Sequence, residues 1–165
     1  MRVHLLERFP EAEVELFIVW VDVFTDDSHE AALESAAIPV APRVQQFFDA
    51  ERRAARALAP ITNLPTMARV AEHIGDSLER LARFQKPGYL HGEPSAYDTV
   101  FFYERDAVWG ESPPEPMDWI TQLRPEVHVG LDPERSFWEF DFYAELERRG
   151  TQHYAPGIGA QGKER

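Results

Sequence analysis

Apolar positions recur along the chain with two spacings. Val14 to Phe24 reads VELFIVWVDVF, β-branched and aromatic, and apolar on both faces from Phe17 to Val21. That continuity predicts a central strand covered on both sides. Asp26, Asp27 and Ser28 offer a helix cap, and Glu30 to Ala37 reads as an alanine-rich helix. Pro39 ends it and Pro42 keeps the next residues extended. Val44 to Phe48 predicts a second strand. Asp49 then caps a helix over Glu51 to Leu58, stopped by Pro60. From Thr66, the residues Val70, Ile74, Leu78, Leu81 and Phe84 return every three or four positions, one buried stripe of a helix ending before Pro87–Gly88.

Tyr97 to Glu104, YDTVFFYE, predicts the second strong strand. Arg105–Asp106 makes a reversal, and Ala107 to Trp109 returns as an antiparallel partner. A proline-rich loop over Gly110 to Pro116 leads into a short helix over Met117 to Leu123, with Trp119, Ile120 and Leu123 inward. Asp132–Pro133–Glu134 carries a cap and first-turn proline. Phe137, Phe140, Tyr143 and Ala144 give the last helix its apolar side, and Gly150 closes it. The expected class is α/β: a mostly parallel sheet ending in an antiparallel hairpin, flanked by helices, with an added C-terminal helix. Residues 1–150 read as one domain and 151–165 as a flexible tail.

In four places this order resembles a thioredoxin-like protein. The strand ending in Trp20 to Val23 precedes a capped helix. PRVQQFFDA, Pro42 to Ala50, precedes another. EPSAYDTVFFYE sets Pro94 shortly before a strand, and AVWGESPPEPMDWITQL closes the core. The resemblance covers roughly residues 5–123 and implies a mixed sheet, with Pro94 in the family's cis-proline position. The family's dithiol chemistry has no counterpart. There is no cysteine, and the segment that would carry Cys-x-x-Cys precedes Val14, where only Met1 to Phe9 resemble the tail of a helix. A missing first strand leaves a sheet flank to be covered by the C-terminal helix, the N-terminus or a second subunit.

Composition narrows the function. Among 165 residues, 29 acids against 17 bases give a net charge of −12. Intrinsic affinity for nucleic acid or an anionic membrane is not expected. Residues 51–100 are weakly basic at net +1, between flanks of −7 and −6, which points first to complementarity within the chain. The absence of cysteine removes disulfides, thiolate metal sites and thiol redox reactions. Without a signal-peptide pattern or a membrane-length apolar run, a cytoplasmic location is the default expectation.

Chemistry-bearing patterns are sparse. Asp22, Asp27 and His29 are the weak candidates for a cation site, although acids at a helix start suit its dipole without any metal. Asp22 and Asp98 each lie in an otherwise apolar strand. His91–Gly92–Glu93–Pro94 lacks the cysteines of a zinc deaminase signature, and no nucleophile elbow or phosphate loop occurs. His128 has no spacing logic. Trp109, Pro113, Pro114 and Trp119 form a candidate apolar rim for a partner, with Pro94 beside it. The expected function is therefore a redox-inactive, thioredoxin-like module that binds a protein partner or itself, with no cofactor. The alternatives are a metal-assisted hydrolase using Asp22, Asp27 and His29, and a truncated oxidoreductase whose thiol motif lies upstream.

Overall fold

The computed structural model describes residues 5–36, 43–138 and 140–154. The elements are β1 (Leu16–Val21), α1 (His29–Ala36), β2 (Val44–Asp49), α2 (Arg53–Thr62), α3 (Met67–Ile74), α4 (Leu78–Leu81), α5 (Pro87–Leu90), β3 (Thr99–Phe102), β4 (Asp118–Thr121), a 3-10 turn (Pro133–Arg135) and α6 (Phe140–Tyr154). The class is mixed α/β, with a parallel pair and an antiparallel pair. The expected single sheet is corrected: among the described residues β1–β2 and β3–β4 are two separate sheets.

β1 and β2 pair in parallel from Leu16 opposite Val44 to Val21 opposite Asp49. Ser28 caps the intervening α1 by accepting the Ala31 N–H at 3.0 Å. Beyond β1 the backbone turns onto the α4–α5 connection, where Thr25 N donates to Phe84 O and Lys86 N to Val23 O. Asp49 caps α2 as its sequence predicts, its carboxylate accepting the N–H groups of Arg53, Ala54 and Ala55. Pro60 does not stop that helix but sits inside it. The long stripe from Thr66 breaks into two helices at Gly75, whose φ of 67° is left-handed and ends α3.

The hairpin is the largest local correction. Arg105–Asp106 does reverse the chain, with Asp106 at φ 66°. Ala107 to Trp109 does not pair, and β3 takes Asp118–Thr121 instead, Phe102 opposite Asp118 and Thr99 opposite Thr121. The stretch expected as a helix is thus a strand. After Asp118 its side chains are Trp, Ile and Thr, all suited to a pleated surface. Ala107–Trp109 instead leads through Gly110 into the loop that carries Pro113, Pro114 and Pro116.

Burial is divided among three clusters. One joins Leu5, Phe102, Ile120, Phe142 and Leu146, so α6 and the N-terminal segment cover β3–β4. The second gathers Val23, Met67, Val70, Tyr89 and Leu90, and the third Leu64, Ala96, Trp119, Leu123 and Leu131. Gly150, expected to close α6, lies within it and helps seat the N-terminal segment: a Cβ there would stand 2.8 Å from Leu5 Cδ2 and 2.9 Å from Phe9 Cε2. The helix continues to Tyr154, so residues 151–154 belong to it rather than to the tail, whose remainder lies outside the described residues. None of the described helices is long and apolar enough to cross a membrane.

Candidate functional site

The parallel pair contributes no member to these buried clusters, and its Val21 packs against the edge of the second. No residue of β1 or β2 is buried. Alternation puts Leu16, Ile18 and Trp20 on one face, with Val44, Gln46 and Phe48 beside them, all half-buried. Helix α1 lies on that side, its His29 ring 5.4 Å from that of Phe48. A gap of about 90 Å³ remains between helix and strands, lined by Trp20, Ala31, Ala32, Ser35 and Phe48 among others. Trp20 Nε1 donates across the pair to Gln46 Oε1 at 3.0 Å.

The opposite face carries Phe17, Val19 and Phe47, exposed by 55%, 37% and 51%, with Gln45 completing the patch. Phe17 and Phe47 stack at 6.5 Å between centroids, 19° from coplanar. The expectation that β1 is covered on both sides therefore fails on this face. Parallel sheets are ordinarily buried on both faces, so an open apolar face on a two-stranded parallel sheet is a surface in want of a cover.

The candidate cation ligands do not converge. Asp22 is ion-paired with Lys86, which also donates to Asp27 O at 2.7 Å. Asp27 spends its carboxylate on the N–H groups of Val23 and Phe24, at 2.9 and 2.6 Å. These contacts close the turn after β1, and His29 packs on an aromatic ring instead. Among the described residues no group of three or more metal-ligating side chains stands together.

The rim is divided as well. Val108 and Trp109 project into solvent at the end of the β3 loop, and Pro113 and Pro114 are half-buried there. Trp119 is not part of this rim, because its strand turns it into the third cluster. Pro94 is half-buried before Ser95, and no described peptide bond is cis.

Two polar assemblies have no counterpart in the sequence reading. In the first, Asp118 is buried at the start of β4. It accepts from Arg135 and Arg149, from His153 Nε2 at 3.2 Å, and from the Trp119 N–H at 2.9 Å. Burial alone would raise its pKa, but these donors outweigh burial and hold it at about 2. Arg149 also meets Glu145 at 2.6 Å, and Arg135 lies 5.0 Å over the Trp119 ring. The network ties β4, the 3-10 turn and α6 together.

In the second, Tyr97 Oη meets His128 Nε2 at 3.0 Å, and His128 Nδ1 lies 3.2 Å from Arg124 O. Donation from Nδ1–H to that carbonyl leaves Nε2 to accept the tyrosine proton. Tyr89 packs edge-on to Tyr97 at 5.8 Å, and burial pushes its hydroxyl up to about 12. Next to Tyr97, Asp98 has a left-handed φ of 47°, and its carboxyl is raised by desolvation and then by Asp27. Burial also lowers the His128 pKa, so the ring folds neutral. Its contribution is full above the unfolded value near 6.5 and declines as pH falls through that value toward the lower folded one. Urea midpoints measured from about pH 8 to 5 should fall with acidity in the native chain and fall less in His128→Gln.

Comparison with family models, with curated proteins and with solved structures gives no match to the chain. Function therefore rests on the surfaces above. Of these, the β1–β2 face has an unmet physical requirement, whereas the Asp118 network meets its partners within the chain.

Proposed function

We propose that this chain is a non-catalytic recognition module that pairs with a second copy of itself through the outer face of β1–β2. The observation that carries this reading is a parallel strand pair with no buried residue and with Phe17, Val19 and Phe47 turned outward. The patch itself is uncharged, so two copies related by a twofold axis meet apolar to apolar. Cover from a partner gives the pair the second apolar layer that parallel strands need.

A thioredoxin-like scaffold without thiol chemistry is the broader reading. It is supported by the strand–helix–strand order with parallel β1 and β2, the antiparallel β3–β4 pair, the C-terminal helix and the lack of cysteine. The separation of the two pairs is a departure from that scaffold.

Net charge opposes the association. Two copies of a −12 chain repel one another, and salt screens that repulsion over about 10 Å at 0.1 M. Sedimentation velocity should show a dimer that strengthens with sodium chloride, and Phe47→Asp should sediment as a monomer at the same concentrations. A native chain that stays monomeric at high salt and high concentration contradicts the proposal.

A further inference from the structure

The loop between β3 and β4 presents an indole that its own chain leaves half open. The loop is closed at its base, where the Met117 N–H donates to Phe102 O at 2.8 Å, and is turned within by the Ala107 N–H on Glu104 O at 3.2 Å. Every residue from 104 to 112 is exposed. Val108 and Trp109 stand among them at 78% and 46% exposure. Two other indoles each carry an arginine of this chain, Arg135 over Trp119 at 5.0 Å and Arg124 over Trp138 at 4.5 Å. Among the described residues no cation and no second ring lies on Trp109.

Charge around this indole selects what can cover it. Arg105 is the only base from 104 to 116, and it is ion-paired with Glu13, outside the loop. Glu104, Asp106, Glu111 and Glu115 are exposed, and no cation pairs with them among the described residues. An apolar partner closing on Trp109 would strip water from these carboxylates and give nothing in return. Nucleic acid and anionic lipid would be repelled. A basic partner neutralises the carboxylates as it covers the ring. Arginine does this better than lysine: a guanidinium lies flat on an indole and offers a carboxylate two parallel N–H donors, whereas an ammonium is a point charge.

We propose that the β3–β4 loop docks an arginine-rich segment of another protein, one guanidinium stacking on Trp109 and its neighbours pairing with the four carboxylates. Pro113, Pro114, Pro116 and the two backbone hydrogen bonds fix the loop in advance, which lowers the ordering cost of binding. The −12 chain also steers a basic partner toward encounter. The site shares no residue with the β1–β2 face and stands independently of self-association.

The probe is a synthetic peptide alternating arginine with glycine, and its control has lysine in place of every arginine. Titrated into the full chain at physiological salt, the arginine peptide should give a saturable shift of the Trp109 indole N–H resonance, assigned by its loss in Trp109→Phe. The lysine peptide should bind about tenfold more weakly, the size of a lost guanidinium–indole contact. By calorimetry, Trp109→Ala should weaken the arginine peptide about tenfold, and joint Glu111→Gln and Glu115→Gln should do the same. All these positions are exposed, and an unchanged far-ultraviolet circular dichroism spectrum checks that the variants fold. Equal affinity for the two peptides, or native affinity in Trp109→Ala, assigns binding to the general charge of the chain and overturns the proposal. So does a Trp109 resonance unmoved by millimolar arginine peptide. Arginine-selective, Trp109-dependent binding by a chain that sediments only as a monomer supports this site and overturns the self-association reading alone.

Discussion

Asp118→Ala is expected to cost about 3–5 kcal/mol, the range for removing one member of a buried ion network. Two guanidiniums converge on this carboxylate, and Arg149 is largely buried with it. Without Asp118, Glu145 is left as the carboxylate beside Arg149. Against a total stability of about 5–15 kcal/mol, that loss is a large fraction of the whole. Asp118→Asn keeps the volume but not the charge, and should recover only part of the loss. The pH dependence has a definite sign. Asp118 folds with its pKa lowered from 3.8 to about 2. Its contribution is therefore full above about pH 4 and disappears as pH falls through 2. Chemical denaturation of both variants at neutral pH and near pH 2 checks this: the difference from the native chain should be large at neutral pH and shrink in acid.

Phe102→Ala should cost about 3–5 kcal/mol by emptying a fully enclosed ring site. Phe102 is 1% exposed and packs with Leu5, Ile120, Phe142 and Leu146, its ring 5.6 Å from that of His153. The comparison that matters is with Phe17→Ala and Phe47→Ala. These remove the same ring from the open face, and in a dilute, monomeric sample each should change stability by no more than about 0.5 kcal/mol. Equal losses at all three positions would mean that the β1–β2 face is packed against its own chain. Denaturant melts at low and high protein concentration separate the cases, because dimer-linked stability grows with concentration while Phe102 acts at every concentration.

Local patterning made several elements legible. The β-branched run at Leu16–Val21, the alanine-rich helix after Ser28 and the Asp49 cap of α2 all follow from residues within a few positions of one another. What failed was decided at a distance. Met117–Leu123 has a helical spacing of Trp119, Ile120 and Leu123, yet residues 118–121 form a strand because they pair with β3, a partner more than fifteen residues away. Asp118 gave no sign of its importance, since its partners are 17, 31 and 35 residues away. His128 and Tyr97 are likewise 31 positions apart. The candidate rim was half legible: Trp109 has the exposure that a rim requires, but Trp119 faced a choice between surface and core that only tertiary pairing resolves. The open face was also hidden, because an apolar run reads the same whether its second cover comes from its own chain or from another.

The most direct test mixes isotope-labelled and unlabelled chains at a concentration where sedimentation shows association, and records nuclear Overhauser contacts between unlike copies. The proposed dimer predicts cross-peaks from the Phe17 and Phe47 rings and the Val19 methyl groups of one copy to the same side chains of the other. Association that leaves these three side chains without any contact between copies would contradict it.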